Sequence, residues 1–144
     1  LTESADDPSV ALVMSEQMAA FRAARDKLEG DIAILDSNIT AGKSRIAGYQ
    51  GQLVAVERQF ALLSEDHASR SQLLEKGLVR RSEVNALSRA MADAEGEAES
   101  LRGIIAETEE TVRKAERQIE QTRNQHRQTQ GGLGKKHTPE NLLP

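Results

Sequence analysis

Three features of the chain could do chemistry: the histidines, the clustered glutamates, and the string "GGLGKK" over residues 131–136. Histidine can ligate a metal or move a proton, paired carboxylates can act as acid and base, and glycine-rich loops can cradle phosphate. Spacing decides against each. His67 and His126 both fall on the apolar seam of a helical repeat. Antiparallel pairing of the two repeats sets His67 across from about residue 91 and His126 across from about residue 32. They are then too far apart to share a metal, and a polar residue tolerated in a seam accounts for both. His137 has no pattern around it. A phosphate loop needs glycine five residues before Gly134, where Thr129 stands, and Ser or Thr after Lys135, where Lys136 stands. Glu95, Glu97, Glu99, Glu107, Glu109 and Glu110 share a helical surface with Arg and Lys, the arrangement of a solvated face. The sequence therefore predicts no catalytic residue, no cofactor site and no metal site.

The elements that carry these residues are helical. From Met14 the apolar side chains follow a 3-4 spacing through Met18, Phe21, Leu28, Ile32, Leu35, Ile39, Ile46, Tyr49, Leu53, Val56, Phe60, Leu63 and Leu74. Only Arg25, Gly42, His67 and Arg70 break the series, and no proline interrupts it. A second series runs through Val84, Leu87, Met91, Ala94, Ala98, Leu101, Ile105, Val112, Ala115 and Ile119, with Thr108, Thr122 and His126 filling the remaining positions. A seven-residue repeat sustained this long is the signature of a coiled coil. Asp7-Pro8 suits the start of the first helix, and Gly131-Gly132 the end of the second.

Between the series lies "LLEKGLVRRSEV", residues 73–84. Gly77 is placed to end the first helix in the left-handed conformation. Ser82 is placed to cap the second, and Glu83 suits the positive end of its dipole. The expected fold is thus all-α: a long antiparallel coiled-coil hairpin with arms 8–76 and 82–130 and a tip at 77–81. If Leu74 faces Val84, residues 8–29 have no partner within the hairpin. The first arm, the longer, then either continues past Gly30 or breaks there, and the common register favours continuation. Residues 1–7 read as a disordered lead and 131–144 as a loop or cloning remnant.

Composition limits function further. Aromatic residues are 2% of the chain and charged residues 29%, which suits helix seams better than a thick core. The net charge of −4 gives no general attraction to nucleic acid. Without cysteine there is neither a disulfide nor a thiolate zinc site. The longest apolar run, Val10 to Met14, is far below the ~20 residues a bilayer requires. The chain begins at Leu1 and shows no signal peptide, so it reads as a fragment whose anchor or targeting segment lies outside it.

The tip differs from the rest. Arg70, Lys76, Arg80 and Arg81 outnumber Glu75 and Glu83 in a chain that is acidic overall. Leu78 and Val79 sit in a turn where the pattern gives them little to pack on. They either cap the end of the seam or form a docking surface, since exposed apolar residues ringed by charge suit contact with a partner.

At these residues the chain resembles a known family. Residues 73–119, from "LLEKGLVRRSEV" onward, are similar to the hairpin of HlyD-type periplasmic adaptors, the membrane fusion proteins of bacterial type I secretion. Residues 7–39 resemble the helical segment preceding it there. The similarity covers roughly 7–130, and the tip motif is its most specific part. The resemblance implies a periplasmic protein anchored in the inner membrane. It implies partners too: an inner-membrane ABC transporter, a TolC-type outer-membrane channel, and further copies of itself in a ring, commonly of six. It places channel contact at the tip, here Leu73, Gly77, Leu78, Val79, Arg80, Arg81 and Ser82. Related drug-efflux adaptors carry an Arg, Leu and Ser set at the tip. Aligned here, Leu73 takes the Leu position, whereas Ser69 and Arg80 stand at the Arg and Ser positions. What carries over is a contact region, not that three-residue mechanism. The competing reading from the residues alone is a generic coiled-coil arm of a cytoskeletal or chromosome-organising protein. Such an arm needs only a polar turn.

Overall fold

The computed structural model describes residues 7–136, with side chains described as far as 131. All but Asp7 of the expected lead at 1–7, and the tail beyond Lys136, lie outside the described residues. Two helices make up the fold: α1, Pro8–Glu75, and α2, Arg81–Lys136. There is no strand among the described residues, and the architecture is the all-α hairpin the heptads predict, with the longer helix first. α1 runs through Gly30 without a break.

The start of α1 follows from its first two residues. The Asp7 side chain accepts a hydrogen bond from the Ser9 N–H at 3.0 Å, and the Asp7 carbonyl accepts one from the Ala11 N–H at 3.1 Å. Asp7 is thus the N-cap. Pro8 takes the first helical position, where a missing N–H costs nothing.

The hairpin divides into two units, one over 40–113 and one that pairs 8–39 with 114–136. In the first, Val56, Ala94, Ala98 and Leu101 form a buried cluster, with Tyr49, Leu53, Phe60 and Leu63 packed against it. Val84, Ile105 and Val112 are also buried. Every one of these lies on a predicted seam. The polar seam positions are accommodated one by one. Thr108 donates its hydroxyl hydrogen to the Ile104 carbonyl at 2.8 Å, which satisfies the oxygen within its own helix. His67, half-buried, shares a hydrogen bond of 3.0 Å with the Ser88 hydroxyl.

In the second unit Ala115 and Ile119 are buried, and Leu28, Ile32, Leu35 and Ile39 are half-buried. Thr122 bonds back to the Gln118 carbonyl as Thr108 does to Ile104. Further toward the N-terminus the seam residues are uncovered: Met14, Met18 and Phe21 are 58%, 55% and 48% exposed. The first heptads of α1 are therefore exposed, but the uncovered stretch is shorter than the expected 8–29, since α2 runs on to Lys136 and Leu28 is half-buried.

Two expectations are corrected. His67 meets Ser88, not the neighbourhood of Met91, and Arg70 meets Glu83. The level of the pairing is centred on Gly77, where the chain reverses, and not on the midpoint between Leu74 and Val84. Residues equidistant from Gly77 come level with each other. Second, α2 does not stop at Gly131-Gly132 but continues to Lys136. Glycine costs only ~1 kcal/mol against alanine inside a helix, a penalty that weakens a helix without ending it.

At Gly42 the seam is closely packed. This glycine is buried, and a Cβ built on it would lie 2.6 Å from Val112 Cγ2. Valine is stiff at χ1, so the neighbour yields little. Nothing lies within 4 Å of such a Cβ at Gly30 or Gly48. Gly48→Ala is therefore expected to raise stability by up to ~1 kcal/mol through helix propensity. Gly42→Ala is expected to lower it by ~1–2 kcal/mol, because overpacking outweighs the same gain. Urea titration followed by circular dichroism separates the two, and equal shifts would contradict the seam geometry.

Candidate functional site

The tip is built by one backbone conformation. Gly77 has φ +73°, in the left-handed region that a side chain disfavours. Its N–H donates to the Leu74 carbonyl at 2.9 Å, and the next N–H, of Leu78, donates to the Leu73 carbonyl at 2.9 Å. This pair of bonds is a Schellman motif, which satisfies two carbonyls left open at the end of α1. The residue in Leu78's place commonly packs back on the one in Leu73's place. Here Leu73 is half-buried while Leu78 remains 69% exposed. Val79 is half-buried. The two apolar turn residues thus part company: Val79 is partly covered and Leu78 is presented to solvent.

Around Leu78 the charges are unequal. Arg70 holds a seam position in sequence but turns to solvent and pairs with Glu83 at 3.1 Å. Both side chains are about half exposed, so the pair adds at most ~1 kcal/mol to the closure. Lys76, Arg80 and Arg81 are exposed beside Leu78. The surface is one large apolar side chain with a cationic rim.

Ser82 is not the cap of α2. The helix begins at Arg81, and the Arg80 carbonyl accepts the Glu83 N–H at 3.1 Å, so Arg80 takes the cap position with its backbone and Ser82 falls in the first turn. The tight exit from the Schellman motif starts α2 two residues earlier than a cap at Ser82 would. Glu83 is in the first turn, where its charge favours the helix dipole. Of the residues singled out from sequence, Leu78, Arg80, Arg81 and Ser82 are exposed at the tip, Gly77 shapes it, and Leu73 and Val79 lie partly beneath it. The Arg70–Glu83 pair was missed, although an arginine in a seam position was its signal.

No group of three or more His, Cys, Asp or Glu side chains that could hold a metal is found among the described residues. What the fold offers is a pair of helices with an exposed leucine and exposed cations at their turn. That defines a long helical hairpin. The chain matches the family model described as "AprE, long alpha-helical hairpin" over residues 1–131, and it belongs to that family. AprE is a type I secretion adaptor, so the hairpin is an adaptor-type component of secretion, structural in kind. No curated protein and no solved structure matches the chain. No helix among the described residues is long and apolar enough to cross a membrane.

Because the turn depends on a positive φ, Gly77→Ala is expected to cost ~1–2 kcal/mol, and Gly77→Asn less, since asparagine tolerates the left-handed region. Chemical denaturation of both variants checks this. An alanine variant as stable as the parent would mean that the turn can be rebuilt without the Schellman geometry.

Proposed function

We propose that this hairpin is the periplasmic arm of an HlyD-type adaptor. The full-length protein is anchored in the inner membrane and assembled as a ring, commonly of six. It bridges an ABC transporter to a TolC-type outer-membrane channel for one-step protein secretion. The tip docks on the channel. The observation that carries this reading is Leu78, 69% exposed at the reversal of the chain and rimmed by cations. A structural arm needs only a polar turn at this point, and the chain places a leucine among cations there instead. Burying a leucine side chain contributes ~1.5–3 kcal/mol, enough for one residue to anchor a small contact.

Family membership supports the adaptor class, and the tip motif supports the HlyD-type assignment. Within it Leu78 is the apolar anchor, Arg80 and Arg81 set rate and register through charge, and Gly77 fixes the presentation. Leu73, Val79 and Ser82 complete the docking region from below and beside it.

In cells carrying the full-length protein, Leu78→Asp is expected to abolish secretion while helix content stays unchanged. A charge would be forced into a contact that excludes water. Arg80→Glu combined with Arg81→Glu is expected to weaken docking, with the parent's binding also falling as salt is raised. Met91→Leu, a volume-conserving change at a half-buried seam position, is expected to secrete as the parent does. Normal secretion by the Leu78→Asp variant would return the hairpin to the structural-arm reading.

A further inference from the structure

The positions of α1 that point away from the seam are unusual for a solvent face. From Ala41 to Ala55 they carry no charge, and in the same unit α2's corresponding face is rich in Arg, Glu and Asp. The next two outward positions in α1's outermost row bring charge back, at Arg58 and Glu65. Arg58, Glu65 and Arg89 are exposed, and none of them has an ion-pair partner among the described residues. Nothing lies within 4 Å of a Cβ built on Gly51, Gly96 or Gly103.

These residues are related by level. The contacts Gly42–Val112 and His67–Ser88 show that positions equidistant from Gly77 share a height across the seam. By the same count Gly51 is level with Gly103, Arg58 with Gly96, and Glu65 with Arg89. Each pair lies on the two outer faces of one hairpin, turned away from each other, so no pair can meet within a single copy. Between two copies set side by side, pointing the same way and at the same height, all three pairs meet at once. Glycine then faces glycine, which lets the helix backbones approach closely. Arginine faces the gap above a glycine, beside Glu95 and Glu99 on the same helix. Glutamate faces arginine.

We propose that the outer face of α1 is the docking surface for the outer face of α2 on a second copy of this chain, in register and in the same direction. The charges choose this occupant. α1 packed on a second α1 in the same direction would set Arg58 against Arg58 and Glu65 against Glu65. The contact is heterologous, one face against a different one, so it repeats from copy to copy and closes wherever the rotation allows. It deepens the adaptor reading, on which it rests for the common direction of the hairpins, by assigning the neighbour contact to named faces remote from Leu78.

Because the chain has no cysteine, the full chain can be tested by disulfide trapping. Gly51→Cys and Gly103→Cys are made as separate variants and oxidised alone and mixed. The result expected is a covalent dimer in the mixture and none in either variant alone, since only position 51 of one copy and position 103 of another come within the ~7 Å between Cα atoms that a disulfide tolerates. Glu65→Arg added to one partner is expected to cut trapping several-fold, and Arg89→Glu on the other to restore it. No dimer in the mixture, or a dimer of Gly51→Cys with itself, would overturn the proposal. So would a trapping yield indifferent to the charge swap. Secretion lost on Leu78→Asp with trapping intact would separate the neighbour contact from docking at the tip, and failure of trapping with docking intact would overturn the neighbour contact alone.

Discussion

The structure depends on a seam one side chain deep. Val56 among Ala94, Ala98 and Leu101 is its best-buried stretch, and none of the described side chains is completely enclosed. A two-helix contact buries little area per residue, and at ~25 cal/mol per Å² of apolar surface it has little to spare for error. This explains why the seam treats its polar members so carefully. Thr108 and Thr122 turn their hydroxyls to their own helix, His67 finds Ser88, and Arg70 leaves the seam for Glu83. It also explains Gly42, which gives Val112 room that a side chain would take. A seam this thin leaves apolar surface on α1 uncovered, and a hairpin with uncovered surface is suited to work among partners.

The second constraint is the reversal at Gly77. Its positive φ fixes three things together: where α1 ends, which residues of the two arms come level, and which side chain is thrust outward. The level of the arms decides the Arg70–Glu83 closure beside the tip. The outward thrust leaves Leu78, and not Val79, exposed to solvent. Fold and function are thus linked through one backbone angle, because the motif that satisfies the last carbonyls of α1 also presents the candidate anchor.

Much of this was legible in the sequence. The 3-4 spacing named the buried positions of both helices from Leu28 onward, and it showed that Met14, Met18 and Phe21 would want a cover the hairpin does not provide. Three things were not legible, each for a physical reason. Periodicity gives faces but not heights, so pairing Leu74 with Val84 misplaced His67 by about one turn. Ser82 looked like a cap because side-chain capping is a strong local signal, but the Schellman exit let the Arg80 backbone take that place. Gly131-Gly132 looked like a stop, yet α2 passes through it, since two propensity penalties are weaker than a continuing helix. At the tip the pattern marked both Leu78 and Val79 as poorly packed, and only the turn geometry divided them.

The central claim, that the tip meets an outer-membrane channel through Leu78, is tested most directly by photo-cross-linking in the cell. A photoreactive residue is placed at position 78 of the full-length protein, with a second probe at position 54 on the outer face of α1. The probe at 78 is expected to capture the channel, and the probe at 54 a copy of the chain itself. A probe at 78 that captures only another copy of the chain, or nothing while the protein secretes normally, would contradict that claim.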